Sequence, residues 1–112
     1  MTIKEKDNNI LNNMEPIKRF VSTITEGNLW IYILSLGLER EIQDKEVASL
    51  IFERFGFLPN DLLVKRVLFR LRADGYIKTE KFKGEKAFKA TEAGKKELEG
   101  MKKYSGELLQ KL

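Results

Sequence analysis

The sequence predicts a mainly α-helical α+β fold with one small β-hairpin, and two observations support this. Residues 71–94 close one helix, form a basic hairpin and open another helix in a single stretch. Before or at the start of that stretch, apolar residues recur at helical spacing in three segments, and a fourth segment is apolar nearly all round. At 112 residues the chain has room for one hydrophobic core but not for two. We therefore expect a single domain of four helices, a hairpin and a final helix.

The hairpin is the most specific local pattern. Gly75 can end the preceding helix, since glycine adopts a left-handed C-cap conformation without steric cost. Strand-forming residues at 77–82 and 85–90 surround Lys83-Gly84, and a two-residue connection with glycine is typical of a hairpin turn. Thr91 then suits a helix N-cap.

A two-residue loop also fixes the strand register. The opposed pairs should run from Phe82 with Glu85 to Ile77 with Ala90. One face, formed by Ile77, Thr79, Phe88 and Ala90, can then cover the core. Lys81 and Lys86 face each other near the tip, where a polyanion would relieve their repulsion.

The first two helices differ in their apolar pattern. Pro16 is tolerated in the first turn of a helix that begins between Asn12 and Pro16. One face of this helix is apolar and carries Ile17, Phe20, Val21 and Ile24. Residues 29–39 are apolar nearly all round, which predicts a helix buried on most sides. We therefore expect Trp30 and Tyr32 on this helix to be core residues.

The next segment predicts a short strand and two further helices. Ile42 is expected to form a single short strand that pairs with the hairpin, and Asp44 to cap the following helix. That helix should direct Val47, Ala48, Ile51, Phe52 and Phe55 toward a core and end at Gly56. Asn60 or Asp61 should cap another helix that extends to about Asp74.

This last helix has two distinct faces. Val64, Val67, Leu68 and Leu71 form its apolar stripe. Leu62, Lys65, Arg66, Phe69 and Arg70 lie away from the stripe and mix basic with apolar groups. A helix followed by a basic hairpin and another helix is the second half of a winged helix-turn-helix domain. We expect disorder at residues 1–9 and one such domain at 10–112, with a core at about 28–91 and a C-terminal helix at 92–112.

Composition and charge exclude several functions. The chain has no histidine and no cysteine, so the common general base, the thiol nucleophile and the usual zinc ligands are missing. We therefore predict no enzyme, no cofactor and no metal site. Residues 60–90 carry nine basic and four acidic side chains, a net charge of +5 that exceeds the +4 of the whole chain. Such a local excess is expected of a protein that binds a phosphate backbone, although a solvated lysine-rich face is the alternative.

The sequence also bears on location. The longest apolar run, residues 29–38, is about half of what a membrane-spanning helix needs. The first residues lack the apolar stretch of a secretion signal. We therefore expect a cytoplasmic protein.

The C-terminal helix carries an apolar stripe with spacings of three and four residues, the pattern of a two-helix seam. Its members are Leu98, Met101, Ser105, Leu108 and Leu112, with Tyr104 beside them. A small core leaves little apolar surface for twenty more residues, which favours a homodimer interface. Packing of the stripe on its own domain is the alternative.

The phrase L-x-x-L-x-x-x-G-Y-I at Leu68–Ile77, followed by the basic hairpin and T-E-A-G at Thr91–Gly94, resembles the PadR and MarR groups of winged-helix transcription regulators. It is most similar to small archaeal PadR-like proteins. The resemblance implies a recognition helix in the major groove, a wing on the flanking backbone or minor groove, and terminal helices that form a homodimer. The implied DNA-binding residues are Asn60, Lys65, Arg66 and Arg70 on the helix, with Phe69 on the same exposed face, and Lys81, Lys83 and Lys86 on the wing.

Two functions follow from these patterns. The first is a sequence-selective regulator that binds double-stranded DNA. The alternative is a winged helix that binds another protein without specific DNA contacts, which the exposed Leu62 and Phe69 would favour. The sequence identifies no small-molecule effector.

Overall fold

Each helix predicted from apolar spacing is present in residues 15–112, the range that the computed structural model describes. The helices are α1 at Pro16–Ile24, α2 at Leu29–Glu39, α3 at Val47–Phe55, α4 at Asp61–Ala73 and α5 at Glu92–Lys111. The strands are β1 at Ile42–Gln43, β2 at Ile77–Phe82 and β3 at Glu85–Ala90. Short 3₁₀ turns occupy Glu26–Asn28 and Asp44–Glu46. The segment 1–9 and a helix start before residue 15 lie outside the described residues. The predicted α+β class is confirmed.

The core forms around α2. This helix is apolar on most sides, as predicted, and it packs against α4, α5 and β3. Its buried residues join apolar side chains from α3, α4 and the three strands in one cluster. The cluster contains Leu29, Ile33, Leu34, Leu36, Ile42, Val47, Ile51, Val64, Leu68, Leu71, Ile77 and Phe88. No helix in residues 15–112 is long and apolar enough to span a bilayer.

The three strands form an antiparallel sheet in the order β1-β3-β2. All six predicted hairpin pairs are present, from Ile77 opposite Ala90 to Phe82 opposite Glu85. The turn residues Lys83 and Gly84 both have positive φ angles, 53° and 79°, as a tight two-residue hairpin requires. Ile42 pairs with Phe88, which confirms the predicted short strand.

Thr79 departs from the predicted core face of the hairpin. Its neighbours on that face are buried or half-buried, but Thr79 is exposed. Its hydroxyl accepts a hydrogen bond of 2.9 Å from Nε of Arg72 on α4. A polar bond between helix and sheet therefore takes the place expected for an apolar contact.

The cap expected before α3 was assigned to the wrong residue. The backbone amide of Gln43 donates to the Glu46 side chain, and the Gln43 side chain in turn accepts at the start of the 3₁₀ turn. Asp44, the predicted cap, is used elsewhere because its carboxylate receives two hydrogen bonds from Arg72.

Two aromatic residues of α3 are also less buried than predicted. Phe52 is 55% exposed, so it does not face the core. Phe55 is 36% exposed, and its ring packs edge-on against Tyr32 at 4.9 Å between centroids. The core face of α3 is therefore narrower than its apolar spacing indicated, with Val47 and Ile51 fully buried.

The turn between α4 and β2 determines where α5 begins. Gly75 has a φ of 81°, as predicted for the residue that ends α4. Thr91 caps α5 and also donates its hydroxyl to the Gly75 carbonyl at 2.7 Å. A Cβ at Gly94 would lie 2.2 Å from the carbonyl oxygen of Tyr76. The first turn of α5 can therefore lie against this corner only because residue 94 has no side chain.

Candidate nucleic-acid interface

The rotation of α4 about its axis is fixed by its buried stripe. Val64, Leu68 and Leu71 face the core and are at most 6% exposed. At 100° per residue, the opposite side of the helix carries Leu62, Lys65, Arg66 and Phe69, all of which are exposed. The predicted exposed face is therefore presented outward, away from the core.

A groove of about 450 Å³ separates α4 from the wing, the β2–β3 hairpin. Lys65 and Phe69 line it from α4, and Lys86 lines it from β3. Three residues predicted to bind DNA are thus brought together from two elements. Lys45, which follows β1, also lines this groove and was not predicted.

The position of Lys45 follows from the pairing of β1. Ile42 lies opposite Phe88 and Gln43 opposite Ala87, so the 3₁₀ turn that follows β1 comes beside the start of β3. Lys45 Nζ lies 3.1 Å from a carboxylate oxygen of Glu85. The sequence predicted that Ile42 pairs with the hairpin but not in which register. Without the register, the position of Lys45 at the groove could not be predicted.

Arg72 belongs to the fold rather than to the exposed basic surface. Its guanidinium donates two hydrogen bonds to Asp44, of 2.8 and 2.9 Å, and one to the Ala87 carbonyl at 3.1 Å. Its Nε donates to Thr79. Its side chain is only 17% exposed. Arg72 contributed to the charge of +5 predicted for this region, but Asp44 neutralises it.

Five of the predicted cations form no salt bridge with any residue in 15–112. We call these residues the basic face, and they are Lys65, Arg66, Lys81, Lys83 and Lys86. All five are exposed. Lys81 and Lys86 lie opposite each other in the hairpin, and Lys83 lies at its turn with Nζ 5.2 Å from the centre of the Phe82 ring. The sheet therefore holds like charges close together on one edge of the molecule.

The other flank of α4 faces a second cavity, of about 360 Å³, between α2, α4 and the start of α5. Arg66 and Arg70 reach its rim, and Trp30 and Tyr76 contribute aromatic surface. Trp30 packs against the core, as predicted, but it also borders this cavity. Arg70 Nε lies 3.5 Å from Asp74, so Arg70 is partly neutralised and lies on the side of α4 away from the wing.

Asn60 has a structural role in addition to the predicted one. Its Oδ1 accepts hydrogen bonds from the backbone amides of Leu62 and Leu63, at 2.8 and 3.2 Å, and thereby caps α4. Its own backbone amide donates to Glu26. Asn60 is exposed at the tip of α4, where its side-chain nitrogen is available for a further contact.

The predicted dimer stripe on α5 divides into two parts. Leu98 is 3% exposed and is buried against its own chain, so its assignment to a dimer interface was wrong. Met101 and Ser105 are half-buried. The last two turns leave Tyr104, Leu108 and Leu112 exposed, together with Leu109, which the stripe did not include.

A second exposed apolar surface lies on α1. Ile17, Phe20 and Val21 are 63%, 57% and 50% exposed, and the helix buries none of its residues. A nine-residue helix is marginal in water without a surface to pack against.

Among the residues that the structure describes, Glu39 and Tyr32 have perturbed pKa values, and neither lies on the basic face. The hydrogen bond from Arg54 lowers the pKa of Glu39 on the exposed end of α2. Burial raises the pKa of Tyr32, whose hydroxyl donates to the Ile24 carbonyl. Within residues 15–112, no cluster of acidic side chains could hold a metal ion.

Proteins of known structure share this fold. PadR from Bacillus subtilis in complex with operator DNA matches with a TM-score of 0.59 and 24% identity over 65% of this chain and 45% of that one. A PadR family transcription regulator from Clostridium difficile matches with a TM-score of 0.59 and 25% identity over 73% and 90% of the two chains. F93 from STIV, a winged-helix DNA-binding protein, gives 0.62 and 23% over 71% and 88%.

These similarities confirm the predicted winged helix-turn-helix fold and its likeness to PadR-type regulators. The chain spans less than half of the Bacillus PadR chain. No protein-family model and no curated protein matches the sequence.

Proposed function

We propose that the protein is a sequence-selective transcription regulator that binds double-stranded DNA. The main support is the groove between α4 and the wing, where both elements contribute cations that no acid in residues 15–112 neutralises. A surface of this kind attracts the phosphate backbone of DNA. PadR from Bacillus subtilis, which shares the fold, has been solved with its operator DNA, and this supports the same class of partner here.

In this proposal α4 enters the major groove. The helix has 13 residues and is therefore about 20 Å long. The B-DNA major groove is about 12 Å wide and admits one α-helix. Lys65 and Lys86 would contact phosphates on the groove walls, and the wing lysines would follow the flanking backbone or the minor groove. Arg66, unpaired and exposed, is the residue on α4 best placed to donate two hydrogen bonds to a guanine.

We also propose that the chain acts as a homodimer. The exposed apolar ends of α1 and α5 have no covering surface in residues 15–112. Burying them against the same surfaces of a second copy would give a two-fold interface, with Tyr104, Leu108, Leu109 and Leu112 on α5 and Ile17, Phe20 and Val21 on α1. Two recognition helices would then contact two half-sites about one DNA turn apart.

One observation favours a second function, a protein-binding module. Leu62 and Phe69 are 66% and 73% exposed, which is unusual for large apolar side chains with no partner. In that case neutral or acidic protein surfaces, and not DNA, would cover α4. Substitution of the wing lysines distinguishes the two functions. It should weaken the binding of DNA, whereas the binding of a protein to α4 does not require these lysines.

Point variants test the proposed DNA contacts. Arg66→Ala should remove about 1 to 3 kcal/mol of discrimination at one base pair if Arg66 binds a guanine, and Arg70→Ala is the parallel test on the other flank. Lys83→Ala should weaken binding to all sequences alike and reduce the salt slope by about one. Lys102→Ala, an exposed lysine on α5, is the matched control and should change neither property. The assignment fails if Lys83→Ala alters sequence preference while both arginine variants leave it unchanged.

A further inference from the structure

Leu62 and Phe69 form an apolar pair on the exposed side of α4 that packing does not explain. They are seven positions apart in the sequence, so they lie two turns apart on one face, about 10 Å along the helix. Lys65 and Arg66 occupy the turn between them. The face thus alternates an apolar group, two cations and an apolar group over a distance of about three base-pair steps.

The charges around this pair indicate what covers it. Phe69 shares its groove with Lys65 and Lys86, which form no salt bridge with any residue in 15–112. The acid of that groove, Asp44, is held by Arg72. An apolar protein surface placed there would leave these cations without partners. A polyanion would neutralise them, provided that it also offers an apolar group to Leu62 and Phe69. The major groove of DNA meets both requirements, because thymine carries a C5-methyl group on its exposed edge.

We infer that Leu62 and Phe69 are specificity-determining residues that contact the methyl groups of two thymines in the major groove. This inference rests on the proposed DNA-binding function and adds a base preference to it. Each contact would withdraw one methyl group and part of an exposed apolar side chain from water. Two thymines separated by about three base-pair steps should therefore be preferred, with Lys65 on a phosphate beside them.

Uracil provides a direct test, because it differs from thymine only by that methyl group. The preferred site is first selected from a random duplex library by the full-length wild-type chain. Duplexes of that site are then made with uracil in place of thymine at one position at a time, and binding is measured by fluorescence anisotropy. We expect wild-type affinity to fall about fourfold at each contacted thymine, the effect of one buried methyl group, and to stay unchanged at the other thymines.

Variants assign each methyl contact to a side chain. Phe69→Ala should abolish the difference between thymine and uracil at one position and retain it at the other, and Leu62→Ala should do the converse. Lys83→Ala is the control: it should weaken binding to thymine and uracil duplexes equally. Because both apolar residues are exposed, circular dichroism should show folded variants, and the wild-type uracil measurement needs no variant at all.

The outcomes separate the inference from the proposed function. If the wild-type chain binds duplex DNA with strong salt dependence but binds thymine and uracil duplexes equally at every position, the inference is overturned and the DNA-binding function stands. If the chain binds no duplex at low salt, both fail, and Leu62 and Phe69 belong to a protein-binding surface.

Discussion

Replacing Arg72 by methionine should destabilise the fold rather than weaken contacts with DNA. Arg72 lies on α4, and its charge is one of the nine basic side chains that give residues 60–90 their net charge of +5. In the structure its guanidinium connects α4 to Asp44 and to the carbonyl of Ala87. Methionine retains most of the length of the side chain but removes every one of these hydrogen bonds.

The loss of folding free energy caused by Arg72→Met follows from the burial of the ion pair and the number of hydrogen bonds removed. Breaking a fully buried ion pair costs about 3 to 5 kcal/mol, because the remaining charge stays desolvated without a partner. Here the Arg72 and Asp44 side chains are 17% and 25% exposed, so water can reach the remaining carboxylate. We therefore expect about 2 to 3 kcal/mol, which lowers the melting temperature of a domain of this size by roughly 10 °C.

The assay is thermal unfolding followed by circular dichroism at a fixed protein concentration, since association would make the midpoint depend on concentration. Arg70→Met is the matched control. Its ion pair with Asp74 joins side chains that are 78% and 49% exposed, so the loss should stay below about 0.5 kcal/mol. A double-mutant cycle of Arg72→Met with Asp44→Ala should give a coupling energy of about 1 to 3 kcal/mol. The reasoning is refuted if Arg72→Met is as stable as Arg70→Met but reduces the salt slope of DNA binding.

Three further predictions concern packing and association. Gly94→Ala should lower the free energy of unfolding in urea by about 2 to 3 kcal/mol, because its Cβ would lie 2.2 Å from a backbone carbonyl oxygen. Gly100→Ala is the control: open space surrounds this position, so the substitution should be neutral or stabilise by up to about 1 kcal/mol. Tyr32→Phe should cost about 1 kcal/mol at neutral pH through the lost hydrogen bond. Burial raises the pKa of Tyr32 in the folded chain, so the stability that the protonated Tyr32 contributes is complete below about pH 10 and is lost as the pH rises through the folded pKa. The wild type should therefore lose stability faster than Tyr32→Phe in alkali. Equal losses in the two proteins would contradict this. Replacing Leu108 and Leu112 by Asp should convert dimers into folded monomers in light scattering, because facing carboxylates would be desolvated without partners; a wild-type mass near 13.0 kDa would show that no dimer forms.

The wing could be predicted in detail because its information is local. Lys83-Gly84 is a two-residue turn, and such a turn determines which residues lie opposite each other along both strands. The six predicted pairs therefore match the structure. The helix ends at Gly56 and Gly75 could be predicted for the same reason, since each depends on one residue and its immediate neighbours.

Contacts between distant segments could not be predicted in the same way. Asp44 and Arg72 are 28 residues apart, and only the folded sheet brings them together. Asp44 therefore appeared to be a helix cap, and Arg72 appeared to be a free cation. The position of Lys45 beside the groove depended on the β1–β3 register, which no turn specifies because β1 and β3 are separated by two helices.

The apolar stripe of α5 shows a further limit of predictions that rest on apolar spacing. Spacing placed Leu98 and Leu108 on one stripe, but it does not state which surface covers each part. Leu98 lies near the start of the helix, where Gly94 brings the backbone against the domain, and it is buried there. Leu108 lies in the last two turns of the helix and is 44% exposed. Glycine has a low helix propensity, but at position 94 its missing side chain permits the contact that determines where the stripe changes from core to surface.

The salt dependence of binding to duplex DNA tests the central claim most directly. Fluorescence anisotropy with a labelled random-sequence duplex, titrated at several salt concentrations, reports how many phosphates the basic face neutralises. Its five unpaired cations predict that log affinity falls against log salt with a slope of about −4 to −5 for each bound subunit. Binding that is absent at low salt, or that does not change with salt, would contradict the proposal that this face binds DNA.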